Sequence, residues 1–301
     1  MNFTAATDCY TLSNGVKIPC IGYGTFKMAD GGDTAEAVLA AIQAGYRHID
    51  TAQTYGNEAS VGAALKRSPV PRQELFLTSK LGNNSHGLQA TREAFQATLQ
   101  ALDTDYLDLY LIHWPNPLSC RDHWQKALQE SWQVMEELYQ NGKIRAIGVS
   151  NFFPRHFAPL FDSAKILPMV NQISLSPGQP QEELCAYSRE HGMLLEAYSL
   201  LGQGAMLKTP EILTLCEKYH RSPAQLCVRW SLQKGFLPLP KSTHPGRMAE
   251  NKDVFDFPFP TRIWRFCPPF PEKVPSGTRI PWLSDSFSRK TVDFLEIHFI
   301  I

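Results

Sequence analysis

Short apolar runs recur along most of the chain, separated by helix-like segments. Few of these runs alternate strictly between apolar and polar positions, which is typical of strands buried on both faces of a sheet. Eight runs have this form: Ile21–Phe26, His48–Ala52, Leu75–Leu81, Tyr106–Trp114, Ile144–Ser150, Met169–Ile173, Leu194–Leu200 and Leu237–Ser242. The alternation of strand and helix patterns predicts an α/β fold with a parallel sheet.

Two of the intervening helices have end signals. Asp33 and Glu36 have the spacing of a capping box, and Gly45 follows the end of that helix. Ser222 and Pro223 have the residue types of an N-cap and a first helical position. Five further helices are predicted at Glu58–Arg67, Gln89–Leu102, His123–Gln140, Pro154–Ala164 and Gln181–Glu190.

Eight strands with helices between them predict a (β/α)₈ TIM barrel over residues 1–257. Asn14-Gly15 lies between two short alternating runs, which predicts a β-hairpin before the first barrel strand. In such barrels the carboxyl ends of the strands form the rim where catalytic residues lie.

Composition narrows the function classes. Lysine plus arginine and aspartate plus glutamate are 29 each among 301 residues, so net charge does not indicate a nucleic-acid or anionic-membrane partner. The first residues lack a signal-peptide pattern, and no apolar stretch approaches the roughly 20 residues that span a bilayer. Seven scattered cysteines without a C-x-x-C pair indicate reduced thiols. We expect a cytoplasmic monomer without a metal.

Three successive strand patterns end on titratable residues: Asp50, Lys80 and His113, with Tyr55 shortly after the first. An ammonium group near a phenol lowers the phenol pKa, and a carboxylate fixes the ammonium. An imidazole could donate a hydrogen bond to a substrate oxygen. Together these groups suit proton transfer to a carbonyl oxygen. The alternative is an ordinary Asp50–Lys80 ion pair with Tyr55 as a rim aromatic.

Five motifs resemble those of the aldo-keto reductase family, in particular its bacterial-type, 2,5-diketogluconate reductase-like members. They are G-Y-R-H-I-D-T-A-Q-T-Y-G-N-E (45–58), F-L-T-S-K (76–80), Y-L-D-L-Y-L-I-H-W-P (106–115), G-K-I-R-A-I-G-V-S-N-F (142–152) and L-P-K-S-T-H-P-G-R-M-A-E-N (239–251). The resemblance implies that Tyr55 is the general acid, that Asp50 and Lys80 tune its pKa, and that His113 orients the carbonyl. It also implies a nicotinamide dinucleotide, NADPH/NADP⁺, extended across the barrel mouth.

The resemblance further implies a set of cofactor contacts, to which Asp50 also belongs. Gly24, Thr25 and Phe26 would line the mouth, although the Gly22-x-Gly24 pattern alone is a weak phosphate signal. The nicotinamide carboxamide and ring would be held by Ser150, Asn151, Gln172 and Tyr198. A half-buried core aromatic is the alternative for Tyr198.

The loop after the eighth strand leads into a short helix, and its two cations and two hydroxyls suit a dianionic phosphate. The resemblance implies that this loop binds the 2′-phosphate of NADPH, with two further residues near the adenine. The residues are Lys241, Ser242, Thr243, Arg247, Glu250 and Asn251. The alternative is a solvated basic loop.

These features predict an NADPH-dependent oxidoreductase that reduces aldehydes or ketones, with substrate contacts from Phe26, Tyr55, His113 and Trp114. The alternative is a catalytically impaired or regulatory NADPH-binding member of the family. The chain departs from the family pattern at Ile173–Pro177 and at Leu200, near the mouth.

Residues 258–301 depart most from the family pattern. They contain Pro258, Pro260, Pro268, Pro269, Pro271, Pro275 and Pro281, which exclude a long helix before the last of them. Codons permitted for residues 260–267, read from their third base, encode Asp-Glu-Asp-Met-Ala-Val-Leu, the helix start that the family pattern predicts there. We therefore expect a frameshifted, poorly ordered tail.

Overall fold

The computed structural model describes residues 3–257. The ten strands of this part are β1 Cys9–Thr11, β2 Lys17–Pro19, β3 Tyr23–Gly24, β4 His48–Asp50, β5 Phe76–Leu81, β6 Leu107–Ile112, β7 Ile144–Ser150, β8 Val170–Ser174, β9 Leu194–Tyr198 and β10 Leu237–Pro238. Its nine α-helices are α1 Gly32–Gln43, α2 Glu58–Arg67, α3 Leu88–Leu102, α4 Trp124–Gln140, α5 Pro154–Phe161, α6 Glu182–Glu190, α7 Pro210–Tyr219, α8 Pro223–Gln233 and α9 Pro245–Lys252. The predicted tail of 258–301 falls outside the described residues.

Eight parallel strands follow one another in the order β3 to β10. Two backbone hydrogen bonds close this sheet into a barrel: Gly22 N–H donates to Pro238 O at 3.0 Å, and Gly24 N–H to Pro240 O at 3.2 Å. A β-carbon on Gly22 would lie 2.5 Å from Leu239 Cδ2, so glycine permits this close approach. The predicted (β/α)₈ barrel is confirmed.

The predicted N-terminal hairpin is also confirmed. β1 and β2 pair antiparallel with Tyr10 opposite Ile18, and Gly15 in the connecting turn has φ of 87°. The Tyr10 hydroxyl donates to Phe236 O at 3.0 Å, just before β10. Ile18 is fully buried. The hairpin therefore packs at the amino end of the barrel, opposite the rim where the strands end.

The predicted helix ends agree with the structure at the start of α8 and after α1, where Gly45 has φ of 97°, but not at the start of α1. Ser222 Oγ accepts from Gln225 N–H, and Gln225 Oε1 accepts from Ser222 N–H, as in a capping box. The predicted Asp33–Glu36 box is wrong because α1 begins at Gly32, and Glu36 instead pairs with Arg67 of α2 at 2.6 Å.

Sequence analysis did not predict helix α7. The sequence does contain residues typical of a helix start there: Pro210 occupies the first helical position, and Glu211 lies in the first turn. Among the helices of residues 3–257, none is both long and apolar enough to cross a membrane.

Candidate active site

Lys80 is the centre of the candidate site. It lies on β5, has no exposed surface, and its Nζ donates to Asp50 Oδ1 at 2.7 Å, Thr51 O at 2.9 Å and Tyr55 Oη at 3.3 Å. Burial pulls the pKa of Lys80 down, but the neighbouring Asp50 and Tyr55 outweigh it and raise that pKa above its usual value. An ammonium group has three N–H bonds, so all of them are used inside the protein.

Tyr55 ends a short 3₁₀ helix, Gln53–Tyr55, and faces the cavity. Its hydroxyl oxygen accepts from Lys80, so its own proton is available to a group in the cavity. Burial raises the pKa of Tyr55, while the Lys80 charge opposes that rise and Asp50 adds to it. Lys80 therefore lowers the Tyr55 pKa, in the direction expected from the sequence, but burial is the larger effect.

His113 follows β6 and lies beside Tyr55, with ring centroids 5.6 Å apart. Its Nδ1 is 2.7 Å from Thr54 Oγ1. Burial, and then the Lys80 charge, hold the pKa of His113 well below its usual value, so the ring is neutral at physiological pH. A Thr54 hydroxyl that donates to Nδ1 would leave the ring proton on Nε2.

The backbone around Asp50 is fixed by buried polar side chains. Thr25 Oγ1 donates to Asp50 O at 3.1 Å, and Thr25 is fully buried. Asn57 Nδ2 donates to Thr25 O and Met28 O, and Thr51 Oγ1 donates to Asn57 Oδ1. Thr25 thus supports the site from behind, while Gly24 and Phe26 line the cavity.

Gln172 connects Asp50 to a second carboxyl group. Its Nε2 donates to Asp50 Oδ2 at 2.8 Å and to Glu196 Oε2 at 2.7 Å. Both N–H bonds of the side-chain amide are therefore used, which leaves Oε1 as its polar atom for a ligand. Gln172 also lines the cavity.

Ser150, Asn151 and Tyr198 form a hydrogen-bonded group at the ends of β7 and β9. The Tyr198 hydroxyl donates to Asn151 Oδ1 at 2.7 Å, and Asn151 Nδ2 donates to Ser150 Oγ at 3.1 Å and His113 O at 3.0 Å. Asn151 has φ of 63°, a left-handed conformation that asparagine tolerates. Together with Gln172 these residues, here called the amide cluster, line the cavity.

The basic loop, residues 241–247, follows β10, the neighbour of β9 in the barrel, and leads into α9. Lys241, Thr243 and Arg247 are exposed, and within residues 3–257 neither cation forms an ion pair. Ser242 is buried, and its Oγ accepts from His244 N–H at 3.0 Å. Lys241 lines the cavity, as does Asn251 from α9, whereas Thr243, Arg247 and Glu250 do not.

The cavity at the barrel mouth has a volume of about 900 Å³. Its wall near Tyr55 is aromatic: the Phe26 ring lies 5.0 Å from the Tyr55 ring, and Trp114 is buried beside His113. Leucines complete the apolar part of the lining at Leu118, Leu200, Leu201, Leu207 and Leu239. Within residues 3–257 there is no group of three or more His, Cys, Asp or Glu side chains able to hold a metal ion.

Sequence reasoning missed Thr54, Asn57 and Glu196. Asn57 was inside a recognised motif, but its bonds to two loop carbonyls depend on the fold. Glu196 had a signal, since it is the one acidic residue in an otherwise apolar strand. Thr54 had no sequence signal, because threonine is common in turns.

A model of the aldo/keto reductase family matches residues 20–266. The chain belongs to the aldo/keto reductase family. It is 46% identical to glyoxal reductase of Bacillus subtilis (strain 168) over 254 residues, or 84% of this chain and 89% of that protein. It is 44% identical to the 9,11-endoperoxide prostaglandin H2 reductase of Trypanosoma cruzi (strain CL Brener) over 253 residues, or 83% of this chain and 87% of that protein.

A crystal structure of the Bombyx mori aldo-keto reductase in complex with NADP is similar to this member of the family. The TM-score is 0.78 at 35% identity, over 87% of this chain and 92% of that chain. The match of the family model and the shared barrel confirm the resemblance read from the five motifs.

Proposed function

We propose that this chain is an NADPH-dependent reductase that converts aldehydes or ketones to alcohols, with Tyr55 as the general acid. The observation that carries the proposal is the set of hydrogen bonds around Lys80. Because Lys80 donates to the Tyr55 oxygen, the phenolic proton is the one that a carbonyl oxygen in the cavity would receive. Burial raises the Tyr55 pKa, which keeps the phenol protonated before the reaction.

The residues present fit a nicotinamide cofactor. A carboxamide has an N–H₂ group that needs acceptors, and the cavity-lining side chains of Gln172 and Asn151 each have an amide oxygen that could accept from it. The Tyr198 ring borders the same space and offers an apolar face. The exposed cations of the basic loop suit the 2′-phosphate that distinguishes NADPH from NADH. A reduced nicotinamide bound there supplies the hydride for the carbonyl carbon.

The protein's own contribution is to orient the carbonyl and deliver a proton. His113 is neutral and donates from Nε2, so it holds the substrate oxygen without adding a charge. Tyr55 transfers its proton to that oxygen, and the phenolate that remains is stabilised by the Lys80 ammonium. Asp50 fixes Lys80 in place for both steps.

The apolar and aromatic lining supports small or medium carbonyl compounds as substrates, and the proposal includes a monomeric enzyme of the cytoplasm. The test uses purified full-length chain, NADPH or NADH, and a panel of sugar-derived ketones, methylglyoxal-like aldehydes and aromatic aldehydes. We expect NADPH-dependent loss of the absorbance of reduced nicotinamide with at least one class, and tighter binding of NADPH than of NADH. NADPH binding without turnover of any carbonyl would instead support the regulatory alternative, and no binding would contradict both.

A further inference from the structure

Glu196 is a buried titratable group that the proposed reaction does not use. It lies on β9, directly opposite Gln172 of β8 in the strand register, and has no exposed surface. Its Oε2 accepts from Gln172, whereas its Oε1 is buried and has no hydrogen-bond partner among residues 3–257. A fully buried carboxylate with an unpaired oxygen is costly, so this arrangement needs a physical explanation.

Charge balance in the interior identifies the protonation state. The charged groups that face Glu196 are Asp50 of β4 and Lys80 of β5, with Tyr55 and Tyr198 nearer the mouth. Within the described residues β8 and β10 have no titratable side chains, and α6 packs on the outer face of β9. Lys80 is in direct contact with Asp50 and not with Glu196. One cation beside two carboxyl groups stabilises one ionised carboxylate, and contact assigns it to Asp50.

We propose that Glu196 is a positioning residue: as a neutral carboxyl it holds one N–H of Gln172, directs the other to Asp50, and thereby presents Gln172 Oε1 to the cofactor amide. The inference rests on the proposed function for the identity of that ligand. The orientation of an isolated glutamine amide is not fixed, because its oxygen and nitrogen ends have the same shape. The Asp50 carboxylate only accepts hydrogen bonds, so it selects the orientation in which the nitrogen points inward, and the carbonyl oxygen of the neutral Glu196 accepts the second N–H.

The same arrangement explains an electrostatic property of the site. Burial first, and then the charge of Asp50, raise the pKa of Glu196 to about 8. The Glu196 pKa is higher in the folded state than in the unfolded chain, so the unfolded chain ionises first as pH rises. The free energy of unfolding therefore falls between about pH 4.5 and about pH 8, and this loss is constant at higher pH. Replacing Glu196 with a residue that cannot ionise removes this loss of stability.

The test compares Glu196→Gln and Glu196→Leu in the full chain, with Glu136→Gln as control. Glu136 is a buried carboxylate on α4 that accepts from two backbone N–H groups away from the cavity. The first measurement is NADPH affinity by fluorescence titration. We expect Glu196→Leu to weaken it about 5- to 100-fold, because one Gln172 N–H is left unpaired. Glu196→Gln should stay within about 3-fold, since its amide oxygen replaces the acceptor.

The second measurement is the free energy of unfolding in urea between pH 5 and pH 9, without cofactor. We expect the Glu196→Gln protein to gain stability relative to wild type up to about pH 8 and to keep a constant difference above it. Wild-type NADPH affinity in Glu196→Leu, or parallel stability curves for wild type and Glu196→Gln, would overturn the inference. If the wild-type protein binds no NADPH, the proposed function fails. The urea denaturation curves still determine whether Glu196 is protonated in the folded protein.

Discussion

Lys80 has no exposed surface and donates every N–H bond to a protein acceptor, whereas Lys241 and Arg247 are exposed and form no ion pair within residues 3–257. The first cation belongs to the proposed catalytic quartet of Asp50, Tyr55, Lys80 and His113, and the other two belong to the basic loop. A buried, fully paired charge holds its neighbours in place before any ligand arrives. Exposed, unpaired charges contribute when a partner binds. The comparison separates the residues proposed to organise the reaction from those proposed to select the cofactor.

Tyr55→Phe should produce the largest effect, because it removes the proton donor and keeps the ring. We expect turnover to fall by about 10²- to 10⁴-fold, the usual contribution of a general acid, with NADPH affinity close to wild type. Steady-state kinetics and fluorescence titration measure the two quantities. Tyr187→Phe is the matched control, since Tyr187 packs in an aromatic cluster on α6. A Tyr55→Phe enzyme with most of its activity would rule out the mechanism.

Lys80→Met should destabilise the fold as well as the reaction. It leaves Asp50 buried without its cation, and breaking a buried ion pair costs about 3–5 kcal/mol of unfolding free energy. Adding Asp50→Asn to this variant removes the unpaired charge and should recover part of the stability. Urea denaturation measures both. Equal stability of Lys80→Met and wild type would show that the buried pair does not organise the site.

Arg247→Ala should weaken cofactor binding and leave the rate of the chemical step unchanged. We expect NADPH binding to weaken by about 1–3 kcal/mol, the scale of a lost charge-assisted contact, and NADH binding to change little. The remaining NADPH affinity should be less sensitive to salt. Lys143→Ala, an exposed cation beside the amino end of β7, is the control. Equal weakening of NADPH and NADH would make Arg247 a structural residue.

Replacing residues 258–301 should have the smallest effect on proton transfer by the four residues of the proposed quartet. We propose that this tail is the product of a frameshift, so an in-frame version should have higher solubility and a substrate mouth with higher affinity for carbonyls. Sequencing the gene around codon 258 tests the origin, and soluble yield and KM test the consequence. Full activity and stability of this chain would identify the tail as a genuine family variant.

Sequence patterns predicted the barrel because its strands are buried apolar runs whose ends converge on one rim. They predicted that Asp50, Lys80 and His113 lie together for the same reason, since each residue is at or next to the end of such a run. The direction of the Tyr55 pKa was not predictable, because it depends on the balance between burial and the Lys80 charge, which requires three-dimensional positions. The pairing of Glu196 with Gln172 likewise depends on the register of β8 and β9.

The closure of the barrel has a consequence for how the chain is made. Gly22 is synthesised early, but the carbonyl that its N–H binds belongs to Pro238, so the edge of β3 stays unpaired until nearly the whole described chain has emerged. An unpaired strand edge is open to pairing with other chains during that interval. Both closing contacts lie before residue 258, so neither of them is made by a residue of the proposed frameshifted tail.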